Sequence, residues 1–177
     1  MPVPIIAAVL LFISLCIVVD VRTRRIPNVI SGAAMLAGVM LNTLYFGGPG
    51  LFGSLAGLLA AIAVLLFPFA LGGVGGGDVK MMGALGALLG PSRVLAGLGV
   101  GVIYGGVVMI VHLIRCGRLR EKLAAIRTML TAAALTGSLQ PLLVRPDDAG
   151  AVALPYSVPL GLGTITVLAL AITLGVS

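Results

Sequence analysis

Repeated apolar runs of about membrane thickness constrain this chain more than any other feature. Residues 3–19 carry no charge, and comparable runs follow at 29–46, 51–71, 94–114 and 154–176. A hydrocarbon core about 30 Å thick is crossed by about 20 helical residues. A soluble domain does not carry 60% hydrophobic and only 9% charged residues. The expected fold class is therefore all-α: one polytopic membrane domain over residues 1–177, with about six transmembrane helices. The sixth helix is the short run at 78–90, which gives roughly 20 Å of helix and is short for a full crossing. Twenty-six glycines and no tryptophan imply close helix packing. Small residues recur four apart at Gly53 and Gly57, at Gly86 and Gly90, and at Gly97, Gly101 and Gly105.

The net charge of +6 does not point to nucleic acid, because the basic residues gather in two short segments. Arg22, Arg24 and Arg25 follow the first run, and Arg115, Arg118, Arg120, Lys122 and Arg127 follow the run at 94–114. Such clusters orient a membrane protein with those loops in the cytoplasm. The expected topology has both termini outside, with uncharged Gly47-Gly48-Pro49-Gly50 and then Pro91-Ser92-Arg93 as outer turns. Pro27 blocks helix continuation and Asn28 is placed to cap the next helix. Leu119, Leu123, Ile126 and Leu130 share one helical face flanked by basic residues, the pattern of a helix lying on the cytoplasmic membrane surface. The N-terminus lacks the basic segment that opens a cleavable signal peptide.

Two carboxylates break this pattern. Asp20 ends the first run, and Asp78 follows Gly72-Gly73-Val74-Gly75-Gly76-Gly77 with Lys80 two residues on. Charges at membrane depth are costly and usually functional. By the span count, both aspartates meet at the cytoplasmic face. The plain reading makes each a solvated boundary residue. The chemical reading makes them an acid/base pair: two neighbouring carboxyls resist double ionisation, leaving one as base toward water and the other as acid toward a carbonyl. Gly75, Gly76 and Gly77 lack Cβ atoms and permit positive φ, so a substrate backbone has room to approach. Lys80 is either a counter-ion or a snorkelling boundary residue. The remaining polar groups offer less. His112 has no companion histidine or cysteine, so neither a metal site nor a serine triad is supported. Cys16 and Cys116 form no CxxC motif. Asp147 and Asp148 sit beside Pro146 in a turn-like loop.

These residues resemble the type IV prepilin peptidases, polytopic aspartic proteases of the GxGD type. Asp20-Val21-Arg22-Thr23-Arg24-Arg25-Ile26-Pro27-Asn28 is similar to the family's first motif, and Gly75-Gly76-Gly77-Asp78-Val79-Lys80 to its GxGDxK motif. Leu154-Pro155-Tyr156-Ser157 resembles a last-span motif, usually Pro-aromatic-Gly, with Ser157 where glycine is common. The resemblance implies that Asp20 and Asp78 are the catalytic pair. It makes Gly75, Gly76, Gly77, Lys80, Arg25, Pro27, Asn28, Pro155 and Tyr156 supporting residues. No cofactor, metal or nucleic acid is implied. The implied substrate is a prepilin or pseudopilin whose short basic leader is cut at the cytoplasmic boundary of the bacterial inner membrane, typically after glycine. Besides that substrate, the expected partner is membrane lipid. Size and the Arg-Arg-Ile-Pro-Asn form look most like the small branch serving tight-adherence pili. Larger members carry a further cytoplasmic domain, often with four cysteines, and also methylate their product; the expectation here is peptidase activity alone. The competing readings are another two-aspartate hydrolase, such as a lipoprotein signal peptidase, and a non-enzymatic scaffold or ion-coupled subunit of a pilus apparatus.

Overall fold

The computed structural model describes residues 1–23, 26–136 and 156–175, and these form six helices with no strand among them. They are α1 (Val3–Thr23), α2 (Asn28–Ala70), α3 (Gly76–Leu89), α4 (Pro91–Arg115), α5 (Leu119–Thr136) and α6 (Ser157–Thr173). Helices α1, α2 and α4 are long and apolar enough to cross a membrane, and α6 is a shorter apolar helix. Large apolar side chains such as Leu11, Leu44, Phe52, Leu66 and Ile103 point outward. An apolar exterior of this kind suits lipid, not water.

Helix α1 runs past the end of its apolar run, because nothing in Asp20-Val21-Arg22-Thr23 stops a helix. The Thr23 hydroxyl donates back to the Val19 carbonyl at 2.9 Å, and Arg22 lies in the last turn, where the helix dipole favours a cation. Asp20 therefore sits on a helix, not in the loop that follows.

The 43 residues of α2 break at Gly47, whose φ of 64° and ψ of −141° only glycine adopts readily. The two arms fold back on each other. Met35 and Gly38 lie beside Gly83 and Ala87 in rising order, whereas Gly57 and Ile62 lie beside Gly86 and Gly83 in falling order. The expected four-residue outer turn thus shrinks to Gly47. Pro49 is accommodated in the second arm's first turn, where a missing N–H costs nothing. The same happens further on. Gly90 alone, at φ 79°, turns the chain, and Pro91 opens α4 at its first residue. At the start of α2 the expectation fails: Pro27 holds the cap position, no side chain caps the helix, and Asn28 is already helical.

Helix α3 is the packing centre. Every residue from Met81 to Leu89 is buried, and α3 makes its most extensive contact with α2. Lipid is as apolar as leucine, so close packing and hydrogen bonds hold such helices together. Gly57 and Gly86 bring the α2 and α3 backbones into direct contact, and Gly38 does the same against Ala87. The last carbonyls of a helix have no partner within it. Here the Ser54 hydroxyl donates to the Ala87 carbonyl at 2.6 Å, and the Asn42 amide donates to Ala87 and Leu88 at 3.0 and 3.1 Å.

A second glycine seam joins α4 to α6. Gly97 faces Thr164, Gly101 faces Leu160, and Gly163 meets the Gly97 and Gly101 backbone. Helix α5 touches only α4 among the described elements. It begins with the Arg118–Glu121 ion pair at 3.3 Å, and its Leu123, Ile126 and Leu130 are exposed.

Candidate active site

Three helix ends converge at one end of the bundle. Asp20 lies in the last turn of α1, Asp78 in the first turn of α3, and Ser157 begins α6. The aspartates are 9% and 8% exposed. They lie within electrostatic reach of each other and of the buried Cys16 thiol, one turn before Asp20. Helix α3 directs the positive end of its dipole toward the site.

The glycine run does not use its freedom where expected. Gly72 has positive φ, but Gly75 is extended at φ −75° and ψ 147°, and Gly76 and Gly77 are helical. What Gly75 supplies is space. The Asp78 carboxyl turns back against the Gly75 backbone, and a Cβ there would stand 3.2 Å from its Oδ2. A Cβ on Gly76 would meet the Phe69 ring, and one on Gly77 would meet Ile26, each at 3.5 Å and in ordinary contact.

Lys80 is exposed, and its Nζ donates to Asn28 Oδ1 at 2.7 Å. No ion pair joins it to either aspartate among the described residues. Its bond ties the start of α3 to the first residue of α2. Pro27 caps α2 beside it. Tyr156 precedes Ser157, and its ring lines an apolar cavity of about 190 Å³ with Tyr104, Gly105, Val108 and Pro159. Arg25, Pro155, Asp147 and Asp148 lie outside the described residues. Among the described residues no three His, Cys, Asp or Glu side chains gather where they would hold a metal ion.

Ser157 is the residue that sequence reasoning noted only as a departure from a motif. It is fully buried, and its hydroxyl donates to Asp20 Oδ2 at 2.5 Å. The signal was available: a hydroxyl, standing where a motif usually has none, that the fold carries to a buried carboxyl 137 residues away. Ile26, which stands against Gly77, the residue before Asp78, was also passed over.

A family model describing the type IV leader peptidase family matches residues 6–111, which contain both aspartates and end before α6. No curated protein and no solved structure matches the chain significantly.

Proposed function

This chain belongs to the type IV leader peptidase family, and on that premise we propose that it is an aspartic endopeptidase in which Asp20 and Asp78 activate one water. The observation that carries the reading is the burial of both carboxyls at one end of the bundle, within electrostatic reach of each other. One carboxylate takes a proton from water as the hydroxide equivalent adds to the scissile carbonyl carbon. The other, protonated, polarises the carbonyl oxygen. The tetrahedral species collapses as the C–N bond breaks, and the leaving amine takes up the proton. Burial strengthens each of these interactions, because little water screens them.

The substrate in this reading is a prepilin or pseudopilin of the tight-adherence type. Its basic leader lies in the cytoplasm, and its apolar helix continues into the inner membrane. The Lys80–Asn28 bond and Pro27 brace the mouth of the site, and Gly75 leaves the Asp78 carboxyl room. Tyr156 carries the neighbouring α6 N-terminus. The polar groups of the interior also support hydrolysis over ion passage. Besides the aspartates, the buried polar side chains among the described residues are Ser31, Ser54, Ser157 and Thr164. Ser31, Ser54 and Thr164 each donate to a backbone carbonyl, and Ser157 donates to Asp20. Each of these buried hydroxyls among the described residues is thus already engaged as a donor.

The test is co-expression with a candidate prepilin in membranes, with leader loss followed by gel shift and N-terminal sequencing. The expected result is cleavage by the parent chain. Asp20→Asn and Asp78→Asn, at unchanged protein levels, are each expected to slow it by at least about a thousandfold. Cleavage that survives either substitution removes that aspartate from the mechanism.

A further inference from the structure

Among the described residues, the Asp20 carboxyl takes its hydrogen bond from the hydroxyl of Ser157, on an element that follows it by 137 residues. Ser157 has no exposure, so bulk water does not compete for that bond. The hydroxyl rides on the first residue of α6, and α6 is fixed against α4 by the glycine seam at Gly97, Gly101 and Gly163. Gly161, one turn further along α6, packs against Ile13 and Ile17 of α1. The donor and its acceptor therefore sit on two helices that are already locked together near the site.

We propose that Ser157 is a positioning residue for hydrolysis: its hydroxyl holds Oδ2 of Asp20 and leaves Oδ1 as the oxygen that faces the reacting water. The role rests on the reading of Asp20 and Asp78 as the catalytic pair. A carboxylate on a single-bonded side chain turns about χ2 with little resistance. One short hydrogen bond to a buried, immobile donor removes that freedom and fixes which oxygen points where. Hydrogen bonds to charged acceptors are the strong class, and small displacements of a reacting group cost large factors in rate.

The experiment compares the parent, Ser157→Ala, Ser157→Thr and Asp20→Asn in detergent-solubilised full-length protein, with a prepilin peptide spanning leader and apolar segment as substrate. Ser157→Ala removes the donor and adds no bulk. It is expected to lower kcat between tenfold and a hundredfold with KM within about twofold, because substrate binding does not use the hydroxyl. Ser157→Thr keeps the donor and is expected within about threefold of the parent. A Ser157→Ala enzyme within twofold of the parent overturns the proposal. So does a rise in KM at constant kcat, or a Ser157→Thr enzyme as slow as Ser157→Ala, which assigns the loss to packing. Asp20→Asn separates the two levels. If it still cleaves, the paired-aspartate reading fails and takes this role with it. If it is inactive while Ser157→Ala is not impaired, only the positioning role fails.

Discussion

Gly75 and Gly77 both precede Asp78 closely in sequence, yet the fold asks different things of them. A methyl group on Gly75 would press within 3.2 Å of the Asp78 carboxyl oxygen, closer than such atoms ordinarily sit. A methyl group on Gly77 would meet Ile26 at 3.5 Å, a normal contact. Gly75→Ala is therefore expected to shift the carboxyl and lower kcat about tenfold at unchanged stability, whereas Gly77→Ala is expected within about threefold of the parent. A steady-state comparison of the two checks this. A severe loss in Gly77→Ala would instead mean that substrate backbone approaches Gly77, as the sequence first implied. The residue scale is also where legibility ended soonest. Asp20 and Asp78 stood out because charge beside long apolar runs is costly. Lys80 stood out too, but sequence left it between counter-ion and snorkelling. Its partner, Asn28, is 52 residues away, and only the fold brings the two together. Ser157 looked like a small deviation because a hydroxyl acquires meaning from what it faces.

At the scale of elements, α3 sets the problem, since its 14 residues are too few to carry its ends comfortably to both membrane faces. Its last carbonyls finish among packed helices, where water cannot satisfy them. Asn42 and Ser54 on the two arms of α2 supply the missing donors. Asn42→Leu is expected to cost about 1–2 kcal/mol, because it leaves the Leu88 carbonyl without its donor, and Ser54→Ala about 1 kcal/mol, because it leaves the Ala87 carbonyl with Asn42 alone. A lowered midpoint in detergent-based unfolding measures this, and stabilities equal to the parent would show that the carbonyls find other donors. The existence of these helices was legible, since apolar runs near 20 residues have few alternatives in a membrane. Their ends were less so. Both turns opposite the basic clusters shrank to a single glycine, at Gly47 and Gly90, because the following prolines fit a helix's first turn as well as they fit a loop. Helix α1 carried on through Asp20 because the basic segment contains no breaker before Pro27. Of the glycines whose spacing marked packing faces, Gly57, Gly86, Gly97 and Gly101 stand in close helix contacts, whereas Gly53 faces open space, and the spacing did not say which partner each face meets. Gly97 and Gly101 face α6, whereas Gly57 and Gly86 face each other.

For the whole molecule, one consequence of the proposed topology can be read from its own cysteines. Cys116 follows the last turn of α4, is exposed, and lies between Arg115 and Arg118 in the second basic cluster. Cys16 is buried in α1. The three helix ends that carry Asp20, Asp78 and Ser157 meet at one end of the bundle, and the charge rule assigns the loops at that end, with Cys116, to the cytoplasm. A membrane-impermeant maleimide is therefore expected to leave the chain unlabelled in intact cells and to label it once in inverted membrane vesicles. Cys116→Ser is expected to abolish that labelling, since the buried Cys16 cannot react. The alternatives are distinct. Labelling in intact cells would place Cys116 outside and turn the whole bundle over. The aspartates would then face away from any basic leader held in the cytoplasm, and the prepilin reading would fail even if both carboxyls proved essential. Labelling confined to inverted vesicles, together with loss of cleavage in the aspartate variants, would tie the chemistry to the membrane face where such a leader waits.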